Sequence, residues 1–443
     1  MKASKQRPSR ILVALVLGCL TTQILCAENW PHWRGPFYNG STTEKGLPGD
    51  FSKTNNVKWA APLPGPSAAT PIIWGDRIFV SSTDRQTKSL RALCIDCKGG
   101  KVLWNHDLGA GFNQDGRSTL ASASPVTDGK RVFFYYSTGD LVALDFGGNR
   151  VWSRNIQKDY GPFAFLWTYS TSPAVYDGKL FIQVLQRNVA VNGRGRADSP
   201  NDSYLLALDP KTGKELWKHI RPSDAQEESL EAFSTPVPFQ GNGRAEVLIA
   251  GGDCLTGHDP GTGQELWRWG AWNPARLGHW RLVPSPVAGG GVVLACAPKG
   301  SPVYAVKAGG AGVLDDSVVA WKSEDRAVSS DVCTPLFYKG RFYVLNGDRK
   351  KLARVEPATG KVEWLGDVGS AVKIESSPTG ADDKIYFVNH RGEVFVVAAA
   401  EQFKLMRVIP MGDEGDDLVR STISVANGSL FIRTGSKLYR VER

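Results

Sequence analysis

The stretch ALDPKTGKELW at residues 207–217 recurs along this chain and decides its fold. Close copies are CIDCKGGKVLW (94–104), ALDFGGNRVW (143–152), GHDPGTGQELW (257–267) and RVEPATGKVEW (354–364). Each copy joins an acidic residue, a glycine-bearing turn and a tryptophan. Self-similarity at a period of about 40–50 residues is typical of a radially repeated β architecture.

A hydroxyl residue near a proline forms the second recurring step, written here as Ser/Thr-x-Pro. Its prolines are Pro71, Pro125, Pro173, Pro236, Pro286, Pro335 and Pro378, and an eighth copy, Ser421-Thr422-Ile423, has lost the proline. A tight turn, an apolar run and a TGK-type turn then lead to a last strand with a tryptophan. Four short strands per repeat make one propeller blade. The predicted docking tryptophans are Trp59, Trp104, Trp152, Trp217, Trp267, Trp321 and Trp364.

The two ends of the chain predict how the ring closes. The eighth repeat stops after its third strand, at residues 438–442, and an orphan tryptophan strand at 56–60 precedes the first complete repeat. Donating that strand to the last blade would hide an open sheet edge. We therefore predict an all-β fold: one eight-bladed β-propeller of four-stranded antiparallel blades over residues 56–443, closed by the strand around Trp59.

Residues 1–27 have the pattern of an export signal, with basic residues, an apolar stretch and the small residue Ala27. Residues 28–55 are an N-terminal extension, and the mature protein is expected in the periplasm or cell envelope. Membrane association is expected only if Cys19 is lipidated. The chain carries 53 Lys and Arg against 44 Asp and Glu, but four of the basic residues belong to the signal. We therefore expect no nucleic-acid partner.

The cysteines and histidines suggest no metal site. Cys94 and Cys97 form a C-x-x-C pair, which could be a redox pair or half of a metal site. Both, however, occupy ordinary repeat positions at a strand end, so structural thiols or one local disulfide are the preferred interpretation. The six histidines lie at no metal-ligand spacing.

Loop lengths predict a working face. The first and third connections of a blade are tight turns, whereas the others emerge on the opposite face and include the long segments 110–120, 157–168, 187–203, 221–232 and 271–282. These loops are rich in arginine and tryptophan, which suit planar or anionic ligands and protein interfaces. The predicted binding residues are Trp167, Arg187, Arg221, Glu228, Trp280, Arg281, Asp331, Lys373, Glu375 and Arg420.

Two alternatives stay open for these residues. Trp167 and Trp280 could simply plug the mouth of the central channel. Asp331, Lys373, Glu375 and Arg420 are expected to look into that channel. Charges of both signs there could ligate an ion or a polar cofactor, or neutralise each other around a wet channel.

The repeats resemble the PQQ-like, quinoprotein-type β-propeller family, whose blades carry the motif A-x-D-x-x-T-G-x-x-x-W. The leader Trp30-Pro31-His32-Trp33-Arg34-Gly35-Pro36 is similar to the start of many exported bacterial members. The resemblance implies either a non-catalytic binding scaffold, as in the BamB-like members, or a PQQ-dependent alcohol dehydrogenase holding PQQ and Ca²⁺. Such dehydrogenases usually carry two adjacent cysteines, and this sequence has no Cys-Cys pair.

The leading hypothesis is therefore an exported, monomeric scaffold that binds an envelope protein or polypeptide through its long-loop face, without a cofactor. The alternative is a quinoprotein-type oxidoreductase with PQQ and Ca²⁺ in the channel, and with Asp331 or Glu375 among its charged groups. A third possibility is a site for sugars or polyanions formed by the Arg/Trp loops. No catalytic residue is assigned.

Overall fold

The structure is a computed structural model that describes residues 28–113, 115–241 and 243–443. The predicted export signal and Cys19 lie outside these residues. The strands form eight sheets around a central channel, antiparallel apart from one short added strand, which confirms the eight-bladed β-propeller. First strands of neighbouring blades contact one another, so they are the innermost strands of the ring.

The strands follow one another in chain order, and the blades are numbered 1 to 8 by the repeat that supplies their first strand. Those of the first half are β1 (Val57–Pro62), β2 (Ile72–Trp74), β3 (Arg77–Thr83), β4 (Ser89–Asp96), β5 (Val102–Ala110), β6 (Val126–Thr127), β7 (Arg131–Tyr135), β8 (Asp140–Asp145), β9 (Arg150–Asn155), β10 (Ala174–Tyr176), β11 (Lys179–Val184), β12 (Tyr204–Leu208), β13 (Glu215–Ile220), β14 (Val237–Gly241), β15 (Arg244–Gly251), β16 (Cys254–His258) and β17 (Glu265–Trp269).

The second half contains β18 (Val287–Gly289), β19 (Val292–Cys296), β20 (Val303–Val306), β21 (Gly312–Val313), β22 (Val319–Lys322), β23 (Leu336–Tyr338), β24 (Arg341–Asn346), β25 (Lys351–Val355), β26 (Val362–Asp367), β27 (Thr379–Ala381), β28 (Lys384–Val388), β29 (Glu393–Ala398), β30 (Leu405–Pro410), β31 (Ser424–Ala426), β32 (Ser429–Arg433) and β33 (Lys437–Val441). Within the described residues, helical structure is limited to α1 (Ile156–Tyr160) and two 3-10 turns, Glu227–Leu230 and Asp316–Val318. No helix in the described part of the chain is long and apolar enough to cross a membrane.

The N-terminal strand closes the ring, as predicted. β1 pairs antiparallel with β33, with Trp59 opposite Arg440 and Pro62 opposite Lys437. The eighth blade therefore has the sheet order β1-β33-β32-β31. Strands from both ends of the chain share one sheet, so its last edge strand comes from the N-terminus.

Blade 4 departs from the four-stranded prediction. The short strand β21 pairs in parallel with β17, with Gly312 beside Trp267. The reason lies in the fifth repeat, where the glycine-rich segment 307–318 replaces the compact TGK-type turn. This longer connection reaches the outer edge of blade 4 and adds a fifth strand there.

The tryptophans of the repeat dock onto the next blade. Six indole N–H groups donate to a backbone carbonyl in the turn of the following blade, at 2.6–3.3 Å; the donors are Trp59, Trp104, Trp152, Trp217, Trp321 and Trp364. Trp267 instead donates to the carboxylate of Glu246 in its own blade, at 2.7 Å. The next blade lacks the compact turn that would receive it.

The turn glycines must lack a side chain because a tryptophan ring covers them. A Cβ on Gly213 would lie 2.7 Å from the Trp152 ring, whereas a Cβ on Gly178 would meet nothing within 4 Å. Both glycines have positive φ, +69° and +67° respectively. We expect Gly178→Ala to cost about 1 kcal/mol from backbone strain alone. Gly213→Ala should cost about 3 kcal/mol, because steric overlap is added.

Urea unfolding of the two purified variants measures this difference. Since both substitutions place alanine at nearly the same φ, Gly178→Ala corrects for the strain. Equal losses of stability would show that the tryptophan moves aside without cost.

The recurring hydroxyl lies directly before the proline, which corrects the Ser/Thr-x-Pro form of the step. At seven of the eight blade junctions, the backbone N–H of one such residue donates to the hydroxyl oxygen of the next, at 2.9–3.3 Å. The ring consists of Thr70, Ser124, Ser172, Thr235, Ser285, Thr334, Ser377 and Thr422. The eighth copy has Ile423 in place of the proline, but Thr422 still takes part in the ring on both sides.

The N-terminal extension closes one end of the channel. Trp30 exchanges two backbone hydrogen bonds with Ile73 of blade 1, and Thr127 of blade 2 donates to the carbonyl of Pro31. Gly40 accepts from Gly380 of blade 7. Ile73, Thr127 and Gly380 come just after the ring hydroxyls in sequence, on first strands that run towards the tight turns. The extension therefore lies on the tight-turn side of the ring. The opposite end of the channel stays open.

Arg34 anchors this segment in the centre of the ring. Its side chain is buried, and its guanidinium donates to the carbonyls of Asn39, Pro335 and Pro378 at 2.6–3.2 Å. Burial lowers the pKa of Arg34 to about 9, which still leaves it protonated at neutral pH. One side chain thus ties the extension to blades 6 and 7.

Candidate functional site

A funnel opens on the long-loop side of the hydroxyl ring and has a volume of about 1040 Å³ including its mouth. All eight blades contribute to the funnel. Most of the lining residues either belong to the hydroxyl ring or precede a ring residue by two positions in the sequence. The lining residues are Trp33, Ala68, Thr70, Asp115, Arg117, Ser118, Ser122, Ser124, Trp167, Thr168, Ser170, Ser172, Phe233, Thr235, Arg281, Val283, Val332, Thr334, Glu375, Ser377, Arg420 and Thr422.

Trp33 of the N-terminal extension forms part of the funnel floor. Its indole N–H donates to the Thr235 hydroxyl at 3.1 Å. This is the junction of blades 3 and 4, the one place where the ring lacks its backbone bond between Ser172 and Thr235. The extension therefore closes the channel and also supplies an aromatic surface to the open side.

One wall of the funnel is a stacked pair of side chains. The Arg117 guanidinium lies 4.3 Å from the centre of the Trp167 ring, and the Trp167 indole donates to Glu228 at 2.9 Å. Asp115 accepts from the amide of Arg117 at 2.7 Å and from the amide and hydroxyl of Thr168 at 2.6 and 2.7 Å. Burial opposes ionisation, but these hydrogen bonds lower the pKa of Asp115. Asp115 thereby holds the two loops that carry Arg117 and Trp167 together.

The facing wall is centred on Glu375. Its carboxylate lies 2.5 Å from Arg420 Nε, 2.9 Å from Lys373 Nζ and 3.2 Å from His390 Nε2. Burial favours the neutral acid, yet the hydrogen bond from His390 and the charges of Arg420 and Lys373 lower the pKa of Glu375. Glu375 is therefore ionised at neutral pH and neutralised by its neighbours.

The structure brings most of the predicted binding residues together. Trp167, Arg281, Glu375 and Arg420 line the funnel. The carboxylates of Glu228 and Asp331 lie 3.7 and 3.8 Å from guanidinium nitrogens of Arg281. Lys373 Nζ lies 2.9 Å from the Glu375 carboxylate.

Three predicted residues lie elsewhere. Arg187 pairs with the buried carboxylate of Glu231 at 2.6 Å, and Trp280 is half-buried against the core of blades 4 and 5. Arg221 does not reach the open surface, which corrects its place among the binding residues. Its guanidinium is buried and donates to Thr256 and to the carbonyls of Gly251 and Cys254.

Sequence reasoning did not place Trp33, Asp115 or Arg117 in the site. Trp33 belongs to an extension outside the repeat, and nothing in the repeat indicates where that segment packs. Asp115 and Arg117 occupy a long loop that was predicted to face the ligand, but its irregular length hides which side chains turn inward.

The cysteines of the described chain are buried free thiols, so the structure has no disulfide between Cys94 and Cys97. Burial raises the pKa of Cys94 to about 12 and also raises that of Cys97. A thiol is reactive as the thiolate, so these values fit a structural role.

The funnel carboxylates do not fit a calcium ion as they are arranged. Ca²⁺ takes six to eight oxygen ligands, with carboxylates prominent among them. Asp115 already accepts four hydrogen bonds, and Glu375 contacts Arg420, Lys373 and His390. Among the residues that the structure describes, no group of three or more His, Cys, Asp and Glu side chains could hold a metal ion.

Comparison with known proteins gives the family. The protein-family model described as "Outer membrane protein assembly factor BamB" matches residues 51–199 and 201–443 of this chain. The chain therefore belongs to this family of PQQ-type β-propellers.

Curated relatives include dehydrogenases. A polyvinylalcohol dehydrogenase of Pseudomonas sp. is 29% identical over 43% of this chain and 29% of its own length. A quinohemoprotein alcohol dehydrogenase of Comamonas testosteroni is 28% identical over 58% of this chain and 32% of its own length. The match thus spans about a third of these longer proteins.

Solved structures of a dehydrogenase and of a BamB protein share the fold. A europium-containing methanol dehydrogenase superposes with a TM-score of 0.67 at 11% identity, over 93% of this chain and 90% of its own. BamB from Moraxella catarrhalis superposes with a TM-score of 0.58 at 13% identity, over 87% of this chain and 99% of its own. At such low identity these likenesses establish the propeller fold alone.

Proposed function

We propose that this protein is a non-catalytic scaffold of the cell envelope that holds a polypeptide partner on its long-loop face. The observation that carries the proposal is the asymmetry of the ring. The extension fills the channel on the tight-turn side, whereas long loops surround an open funnel on the other. The family description, an outer-membrane assembly factor, supports an envelope partner.

The long loops also expose apolar side chains suited to a protein interface. Val189, Leu277 and Leu418 are 60%, 39% and 47% exposed, and they lie in loops from three different parts of the ring. Charged funnel residues lie between them, so the face combines apolar contacts with a polar centre. Protein interfaces commonly combine these two kinds of surface.

The test compares two triple variants with similar exposed apolar area. One is Val189→Ser, Leu277→Ser and Leu418→Ser on the long loops. The matched control is Val151→Ser, Val362→Ser and Val408→Ser on outer strands, where the side chains are 44%, 39% and 43% exposed. Each protein is immobilised and incubated with envelope extract. A polypeptide captured by the unsubstituted protein is then identified, purified and titrated against all three by calorimetry.

We expect the loop variant to weaken binding at least tenfold and the outer-strand variant to leave it unchanged. The reverse pattern would assign the partner to the outer strands and contradict the proposed face. If no purified polypeptide binds with a defined stoichiometry, the scaffold proposal fails.

A second candidate is a quinoprotein-type oxidoreductase, favoured by the curated dehydrogenase relatives and by arginine next to tryptophan in the funnel. Such a pairing suits a planar anion like PQQ. To separate the scaffold from the oxidoreductase, PQQ and Ca²⁺ are added to the purified protein. The absorbance of bound quinone and the rate of dye-linked alcohol oxidation are then measured. Stoichiometric binding with turnover would replace the scaffold proposal.

A further inference from the structure

The start of the described chain is held by two reciprocal acidic contacts. The backbone nitrogen of Glu28 donates to Glu44 Oε1 at 2.7 Å. The Glu28 carboxylate in turn accepts from the Thr43 amide at 2.8 Å and from the hydroxyls of Thr42 and Thr43. Residue 28 is thus bound both through its backbone and through its side chain.

Glu44 also connects this point to the ring. Its second oxygen, Oε2, accepts from the backbone N–H of Gly428 at 2.9 Å. Gly428 forms the tight turn between β31 and β32 of the eighth blade. A single carboxylate therefore joins the first residue of the N-terminal extension to the blade where the ring closes.

The sequence predicts that the export signal ends at Ala27, directly before this nitrogen. Hydrolysis of the Ala27–Glu28 peptide bond by an export peptidase consumes one water molecule. It leaves a carboxylate on Ala27 and an amine on Glu28, and the amine takes up a proton at neutral pH. The neutral amide N–H that faces Glu44 then becomes an ammonium group.

We infer that cleavage after Ala27 creates a new N-terminal ammonium that forms an ion pair with Glu44, so that removal of the signal strengthens the attachment of the channel-closing extension to the eighth blade. The attraction between opposite charges supplies the added stabilisation. The inference depends on the predicted signal and is independent of the proposed partner.

The first test is the mass of the exported protein, which should correspond to a chain beginning at Glu28. Two recombinant proteins then isolate the amine. One begins at Glu28, and the matched control retains Ala27, which moves the amine one residue away and restores the amide. Because a partly exposed ion pair contributes little, we expect the Glu28 protein to melt only about 1–3 °C higher at pH 7.

The pH dependence gives a readout that a packing effect would not reproduce. The Glu28 amine should have a pKa above the usual value of about 8, because the Glu44 carboxylate lies 2.7 Å from this nitrogen and favours its charged form. A folded-state pKa that is raised stabilises the protein below the unfolded pKa, and this contribution is lost as pH rises through the folded pKa. The difference between the two proteins should therefore vanish near pH 10.

Glu44→Gln completes the test, since glutamine retains an oxygen for Gly428 but no charge. In this variant, the amine pKa measured by NMR should fall by at least about half a unit relative to unsubstituted protein. A mature chain beginning at another residue would overturn the inference. So would an amine pKa that Glu44→Gln leaves unchanged, or equal melting of the Glu28 and Ala27 proteins at pH 7.

Discussion

Replacing Arg34 with methionine is expected to destabilise the protein by about 4 kcal/mol. Methionine fills a similar volume, but it leaves the carbonyls of Pro335 and Pro378 without their donors, whereas the Asn39 carbonyl still accepts from the backbone N–H of Phe337. Each buried acceptor that loses its partner costs about 1–3 kcal/mol, less where water reaches it. The effect is large because one guanidinium satisfies the Pro335 and Pro378 carbonyls together at the centre of the ring.

Urea unfolding of the purified protein measures this loss, and Arg391→Met is the control. Arg391 is exposed, and its side chain has no hydrogen bond within the described residues, so the same substitution there should stay within about 0.5 kcal/mol. Arg34→Lys should recover part of the stability, because it keeps a charge and a donor without the planar fork. If Arg34→Met unfolds like the unsubstituted protein, the extension does not stabilise the ring.

Trp59→Ala is expected to cost about 3 kcal/mol and to loosen the junction between the eighth and first blades. Trp59 lies on β1 in the eighth blade, covers Gly100 of the first and donates to the Cys97 carbonyl at 3.0 Å. Removal of a large aromatic side chain from such a contact costs about 3–5 kcal/mol when it is buried, and Trp59 is only partly buried. The C-terminal strands β31–β33 should then become sensitive to proteases.

Trp152→Ala provides the comparison, because Trp152 makes the same contact between blades 2 and 3. Those blades are consecutive and each takes all its strands from one stretch of chain. We therefore expect a similar loss of stability but no selective cleavage at the C-terminus. If limited proteolysis cuts both variants at the same sites, closure does not depend specifically on Trp59.

Much of the fold could be predicted because it repeats. The copies around Trp104, Trp152 and Trp217 report the same local structure several times, so each turn and strand supports the others. The lost proline at Ile423 illustrates the limit of such reasoning. The proline attracts attention in the sequence, whereas the hydroxyl beside it, Thr422 in that copy, makes the bond between blades.

The candidate site was predicted only in outline. The long-loop face and the funnel positions of Trp167, Arg281, Glu375 and Arg420 followed from loop length and spacing. Arg221 was misplaced because a loop arginine can turn inward, and here Thr256 and two carbonyls satisfy it. Burial of a long side chain depends on neighbours in other blades, which one sequence does not reveal.

The sequence by itself determined the blade, the number of blades and the strand that closes the ring, because each depends on local patterns or on the two chain ends. Only the tertiary structure decided that the channel is closed on one side. The bonds of Arg34 to Pro335 and Pro378 join residues 301 and 344 positions apart. No periodicity connects the extension to these blades, and only the folded ring brings their carbonyls within reach of a single guanidinium.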